Sequence, residues 1–402
     1  MRWLRRIAIG VVLGVPTAIG LLWLGLKTER SWSLELPLPT GSFAVGRSIQ
    51  VWTDAAHPDT LAPRPGAKRE LLVWVWYPAT AGQAAPMDDY LPPQLRPKGG
   101  ATNIWTLLTH DQAKVRGHSI REPEVSRQEQ SYPVVIMRAG ASAPVLNYST
   151  LAEDLASHGY VVVGFDAPYR TGFVVLPDGR TMGRTAQNNP EGCVVADRNE
   201  MERCVSRVMT AWTDDIGFVL DRLTRLTASD STGRFTSRLD MTRVGVFGHS
   251  LGGAVAAQFC HEDARCKAGL DIDGAPHGSV IQAGLSQPFM FLLSDHHADT
   301  DAESMQIGAD IKSIYDRLPP DRRLHAEIRG AFHFTFTDDG ALMKSSIVRG
   351  LLRAFGRLGI SGRRQLAVTA YCMHTFFDAY LKGAGVPPLK IASPLYPEIQ
   401  VK

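Results

Sequence analysis

Apolar, β-branched runs recur along this chain of 402 residues, at Leu71 to Tyr77, Val134 to Met137, Tyr160 to Phe165, Val244 to Phe247, Ala268 to Ile272 and Phe289 to Leu293. Most are apolar at consecutive positions, the pattern of strands covered on both faces. Helical patterns lie between them. Thr150 to His158 ends at Gly159, and Val208, Trp212, Ile216, Val219, Leu220 and Leu223 recur at three- and four-residue spacing. Strands alternating with helices predict an α/β fold with a mostly parallel central sheet and helices on both faces. A content of 44% hydrophobic and 21% charged residues supplies the core such a sheet needs and excludes collagen-like, coiled-coil and acidic solvating chains. The net charge of +3, from 43 basic and 40 acidic residues, offers no basic stripe, so no nucleic-acid partner is expected.

The N-terminus has its own pattern. Arg2, Arg5 and Arg6 precede an uncharged run over 7–26, about the ~20 residues that span a bilayer as a helix. Residues 1–30 are therefore expected to be a membrane anchor. The competing reading is a cleaved signal segment, with an apolar core from Ile7 to Val15, a break at Pro16 and the small pair Ala18-x-Gly20. Either way, residues 31–402 are expected to form one catalytic domain outside the cytoplasm, periplasmic or extracellular. Five cysteines suit that placement. Cys193 pairs by position with Cys204, and Cys260 with Cys266, as two short-loop disulfides, while Cys372 reads as a buried thiol. The polar, glycine-rich stretch 171–204 reads as an insertion at the rim of the sheet. The oligomeric state has no signature here.

Chemistry enters at Gly248-His249-Ser250-Leu251-Gly252, a G-x-S-x-G pentapeptide. An apolar strand leads in and an alanine-rich helix leads out, the setting in which a sharp turn lifts a serine hydroxyl above the sheet edge. A serine hydroxyl needs a histidine base and an acid to orient it, expected later in the chain in the order acid, then histidine. Of 12 histidines, those following the serine are His261, His277, His296, His297, His325, His333 and His374. His333 sits where a loop leaves a late strand. Two carboxylates end suitable strands, Asp273 and Asp295, with pattern alone leaning to Asp295, whereas Asp271 alternates away.

These residues carry a resemblance. Leu36-Pro-Leu-Pro-Thr-Gly41, Trp76-Tyr77-Pro78, Tyr132-Pro-Val-Val, Asp154-Leu-Ala-Ser-His-Gly159, Gly248-His-Ser-Leu-Gly-Gly253 and Arg329-Gly-x-x-His333 are similar to segments of the plasma-type platelet-activating factor acetylhydrolases, which are α/β-hydrolase lipases. The resemblance implies an α/β-hydrolase fold with Ser250 as nucleophile, Asp273 as acid and His333 as base. It implies an oxyanion hole from the backbone N–H groups of Leu251 and Ala141, and no metal or cofactor. The turn at Ala139-Gly140 departs from the family's usual His-Gly, and Arg138 beside it is read as a structural ion pair or a phosphate contact. An apolar segment at Asn103 to Leu108 lies where the family contacts lipid. His296-His297-Ala-Asp299-Thr-Asp301 matches no metal spacing and is expected to be a solvated loop. The implied activity is hydrolysis of short or oxidised acyl esters, such as the sn-2 position of phospholipids. The alternatives are a general esterase or polyester hydrolase, and a catalytically silent anchored binding module.

Overall fold

The structure is a computed structural model that describes residues 2–80, 86–97, 108–185, 188, 190–193, 197–296, 300–343, 349–350, 353–354, 359–383 and 392–402. The apolar segment at 103–107 lies outside the described residues, as do residues 297–299 of the histidine and aspartate cluster. Ten strands build the part of the sheet that matters here: β1 (Ala44–Pro58), β2 (Lys68–Ala79), β3 (Val115–Arg121), β4 (Tyr132–Arg138), β5 (Val161–Asp166), β6 (Leu239–His249), β7 (Cys266–Ile272), β8 (Phe289–Leu293), β9 (Arg323–Ile328) and β10 (Ile399–Val401). Their spatial order is β3-β1-β2-β5-β4-β6-β7-β8-β9-β10. From β5 through β9 all pairings are parallel, and β2 and β10 close the run antiparallel on either side.

Both faces of this sheet are covered, as the continuous apolar runs require. Along β2, Leu72, Trp74 and Trp76 enter one core cluster while Leu71, Val73, Val75 and Tyr77 enter the other. Period-two alternation thus sends one strand's side chains into two separate cores. Each such large side chain contributes about 1.5–3 kcal/mol by leaving water. One core is sealed by α2 (Ser149–Ser157) and α6 (Gly362–Leu381), and the other by α3 (Arg198–Ala228) and α4 (Leu251–Glu262). The predicted helix with Val208, Trp212 and Ile216 is α3, its apolar positions buried. A further helix, α5 (Ala302–Arg317), starts with Asp301 capping the N–H groups of Glu303 and Ser304.

The N-terminal run forms helix α1 (Arg2–Glu29) with Pro16 inside it. The expected transmembrane helix needs correction here: among the described residues, no helix is long and apolar enough to cross a membrane. Both expected disulfides are closed, Cys193 to Cys204 and Cys260 to Cys266, and Cys372 is free and buried. In the insertion, two short strands at Phe173–Val175 and Thr181–Gly183 form a hairpin.

Parallel order has one consequence for function. The carboxyl ends of β4, β6, β7, β8 and β9 lie side by side, so the loops that leave them converge on one crevice.

Candidate active site

Ser250 stands between the end of β6 and the start of α4 with φ 56° and ψ −129°. A non-glycine residue rarely holds a positive φ, and the strain is tolerated because the surrounding turn leaves no alternative. That turn needs glycines. A Cβ on Gly248 would lie 2.0 Å from the Gly252 carbonyl oxygen, and one on Gly252 would lie 2.1 Å from that of Arg138. The sequence's G-x-S-x-G spacing is therefore a packing requirement between β6, β4 and the first turn of α4.

Asp273 follows β7 at φ 55°, and its carboxylate is buried with four donors on it. Oδ1 accepts from the Ser294 N–H at 2.8 Å and from His296 Nε2 at 2.8 Å, while Oδ2 accepts from Ser294 Oγ at 2.7 Å and from His333 Nδ1 at 2.8 Å. Burial alone would raise this carboxyl, but the hydrogen bonds from His296 and His333, and their charge, hold it far below the usual carboxylate range. His333 begins a short 3-10 turn after β9 and lines a cavity of about 650 Å³ together with Ser250, Leu251, Asp273 and His296. No hydrogen bond joins Ser250 Oγ to His333 among the described residues, a separation common where no substrate is bound.

The rival acid sits elsewhere. Asp295 Oδ2 accepts from the Gly330 N–H at 2.8 Å, so it pins the loop that delivers His333 and leaves the imidazole to Asp273. Asp271 is buried beneath the elbow, where its Oδ1 accepts from the Gly274 N–H at 2.9 Å. Of the other candidate histidines, His277 and His325 line the same cavity, His261 binds the Gly284 carbonyl at 2.9 Å, and His374 lies against α2.

The loop after β4 closes against the elbow. A Cβ on Gly140 would come within 3.1 Å of the Ser250 Cβ, so the loop packs directly on the elbow. The N–H groups of Ala141 and Leu251 have no backbone acceptor among the described residues. Sequence reasoning did not find what braces this loop. The Gly140 N–H donates to Tyr148 Oη at 3.1 Å, Tyr148 Oη donates to His249 Nδ1 at 2.8 Å, and His249 Nε2 donates to the His333 carbonyl at 3.0 Å. Burial, reinforced by the nearby His333, holds His249 down at about 3, so it is neutral and carries the single ring proton this chain of bonds needs. The insertion adds a second brace: the Gly172 N–H donates to the Ser142 carbonyl at 3.0 Å and Arg184 to Ser142 Oγ.

Arg138 is a structural ion pair, the first of its two sequence readings. It is 1% exposed, its Nη2 lies 3.5 Å from Asp215 Oδ2, and its guanidinium stacks over Trp212 at 4.0 Å. Arg170 joins from the far side, 3.1 Å from the same Asp215 oxygen and 2.8 Å from Asp59. Buried among its own carboxylates, Arg138 has no open face for a substrate phosphate.

Asp154, His158 and His374 form a group whose ligand atoms all lie within 4.8 Å of one another, close enough to be weighed as a metal site. The two imidazoles stack nearly parallel, centroids 4.0 Å apart and planes 8° apart, so their in-plane lone pairs do not converge on one point. Asp154 Oδ1 instead accepts from the Thr40 N–H and hydroxyl at 2.9 and 2.7 Å. The group fastens the Pro-Thr-Gly segment to α2 and α6, away from Ser250.

Comparison with known proteins finds similar chains and a similar fold. The family described as platelet-activating factor acetylhydrolase, isoform II, matches residues 223–382, the span that holds Ser250, Asp273 and His333. A probable 1-alkyl-2-acetylglycerophosphocholine esterase of Arthroderma benhamiae is 24% identical over 401 residues, covering 91% of this chain and 93% of that one. A platelet-activating factor acetylhydrolase of Canis lupus familiaris is 25% identical over 229 residues, 53% of this chain and 49% of that one, so the match spans about half of the mammalian protein. Among solved structures, a ferulic acid esterase from Streptomyces cinnamoneus superposes with a TM-score of 0.71 at 26% identity, covering 92% of this chain and 99% of that one.

Proposed function

We propose, taking as premise that this chain is a relative of the platelet-activating factor acetylhydrolases, that it is a serine carboxylic ester hydrolase whose 31–402 portion acts as one catalytic domain. The carrying observation is the Asp273 to His333 hydrogen bond of 2.8 Å, in a cavity shared with a serine raised on a strained elbow. With Nδ1 of His333 donating to the carboxylate, Nε2 carries the lone pair. It takes the proton from Ser250 Oγ as that oxygen attacks the ester carbonyl. The tetrahedral oxyanion is held by the N–H groups of Leu251 and Ala141. His333 then returns the proton to the leaving alkoxide, and water repeats the sequence to free the acid.

The proposed substrate class is a short or oxidised acyl ester, including the sn-2 ester of a phospholipid, following the names of the relatives. A broader esterase is the second reading, favoured by a 650 Å³ cavity, far roomier than an acetyl group, and by the ferulic acid esterase likeness. An acyl-length series with and without a phosphocholine head separates them. The first reading expects kcat/KM to peak at short acyl chains and to rise at least about tenfold with the head group, an increment of about 1.4 kcal/mol. Equal rates for aryl and phospholipid esters would favour the second. If a fluorophosphonate fails to label Ser250 in folded protein, a silent binding module replaces both.

Export from the cytoplasm is part of the proposal. It is supported by the three leading arginines, by two disulfides that suit an oxidising compartment, and by the apolar stretch 14–25 of α1, every residue of which is exposed. Whether the N-terminal segment is cleaved on export is read by N-terminal sequencing of the mature protein.

The Tyr148 relay gives a separate expectation. Tyr148→Phe leaves the Gly140 N–H and His249 Nδ1 without their partner, each buried group costing about 1–3 kcal/mol. Because the bond holds the oxyanion loop and not the bound ester, kcat should fall roughly 10–100-fold with KM nearly unchanged. Steady-state kinetics on a soluble short-chain ester checks this, and a rise in KM with kcat intact would refute it.

A further inference from the structure

Asp273 serves two histidines. His296 leaves β8 three residues past its end, and its Nε2 reaches Asp273 Oδ1 at 2.8 Å and lies 3.1 Å from Ser294 Oγ. His333 occupies Oδ2 of the same carboxylate at the same distance. The shared carboxylate is 1% exposed, whereas the His296 side chain is 47% exposed and His333 30%. A carboxylate has about four lone-pair directions, and here all four are taken, two by Ser294 and one by each imidazole. A hydrogen bond to one oxygen therefore draws on the charge that the other oxygen offers to its own partner.

Resting on the serine hydrolase reading, we propose that His296 is a positioning residue that shares the triad carboxylate and, through it, weakens the hold of His333 on its proton. A neutral His296 donates Nε2–H and spreads the Asp273 charge over two rings. A protonated His296 adds a positive charge to the same carboxylate and disfavours a second one on His333. Both states act in one direction: they keep His333 free to accept the serine proton at lower pH than a singly partnered triad would allow. The half-exposed ring lets bulk pH reach this control, while the buried carboxylate carries it to the base without water between.

The other ionisable groups around the pair are the same residues in all three proteins. His277 after β7, Lys312 and Asp316 of α5, and His325 and Glu327 of β9 line the same cavity. The buried His249 and Asp271 interact with His333 and Asp273 respectively, and Asp295 is engaged with the Gly330 N–H.

The experiment compares the wild type with His296→Leu, which removes donor and titration together, and His296→Gln, which retains an N–H donor and cannot titrate. In His296→Leu the acid limb of kcat/KM should move up by about half to one pH unit with KM little changed, and His296→Gln should recover part of that displacement. The His333 ring is also titrated by nitrogen-detected NMR in substrate-free protein and should move with the limb. Both variants should fold, with His296→Leu melting somewhat below the wild type because it takes a donor from a buried carboxylate, and His296→Gln closer to it. An unmoved His333 titration in both variants, or a limb that moves down, overturns the proposal. The NMR arm needs no turnover, so a wild type inactive on every ester would sink the hydrolase reading while still scoring the coupling between the two rings.

Discussion

Ser250→Ala should lower ester turnover by several orders of magnitude, with the folded protein and its melting temperature essentially retained. The residual rate should exceed that of water by about 10³–10⁴, because the oxyanion donors and the binding cavity remain. The structure adds a stability argument to this familiar comparison. Ser250 holds φ 56°, a conformation costing of order 1–3 kcal/mol for any residue with a Cβ, and alanine inherits that strain unchanged. Ser250→Gly removes both the hydroxyl and the strain. It should be equally inactive and melt higher than Ser250→Ala, unless the added freedom of glycine in the unfolded chain cancels the gain. Turnover on a soluble ester and thermal melts of the three proteins read both effects. An alanine variant with wild-type turnover would remove Ser250 from the chemistry altogether.

What could be read in the sequence was what depends on neighbours in the chain. The elbow is a local feature: glycines two residues either side of a serine, an apolar strand before it and small residues after it, so its pattern survives as text. The two-sided strands are legible for the same reason, and β2 divides its side chains between both cores as its unbroken apolar run implies. The relationships that make a site are not local. Asp273 and Asp295 both end parallel strands, and what separates them is the turn at Asp273, φ 55°, which aims that carboxylate at His333 while Asp295 turns to Gly330. No periodicity encodes that difference, and pattern alone leaned to Asp295, whose carboxylate accepts from a backbone N–H and not from an imidazole.

His296 illustrates the same limit. Its nearest sequence neighbours suggested a solvated loop, and it is half exposed, yet its partner is a carboxylate 23 residues away on the adjacent strand. The available signal was Ser294-Asp-His directly after a strand next to the acid's own strand, which is visible only once the strand order is known. Arg138 was legible in kind and not in partners. Its place at the end of an apolar strand left a structural ion pair or a phosphate contact open, and Asp215, in α3, and Arg170, past β5, enclose it as the first of these. Tyr148 and His249 were silent because their hydrogen bonds join three loops that meet only in the folded crevice.

The acid assignment carries the second large effect. In Asp273→Asn an amide replaces a carboxylate that now accepts four hydrogen bonds, from the Ser294 N–H, Ser294 Oγ, His296 and His333. An amide NH2 cannot accept from any of them, so His333 should turn its unprotonated nitrogen toward residue 273 and leave a protonated one facing Ser250. The wrong tautomer cannot take the serine proton, and kcat should fall about 10⁴-fold. Asn tolerates a positive φ better than most residues, so the backbone at 273 should persist, and a well-folded but nearly inactive protein is expected. Asp295→Asn keeps an oxygen for the Gly330 N–H, so its kcat should stay within about tenfold of wild type. Measured side by side on one ester, a far greater loss in Asp295→Asn than in Asp273→Asn would reverse the assignment. The comparison also fixes which loop positions the base. If Asp295→Ala, which removes the acceptor entirely, lowers kcat while Asp295→Asn does not, the Gly330 N–H to Asp295 hydrogen bond is what Asp295 contributes, and Asp295 acts on catalysis through the placement of His333.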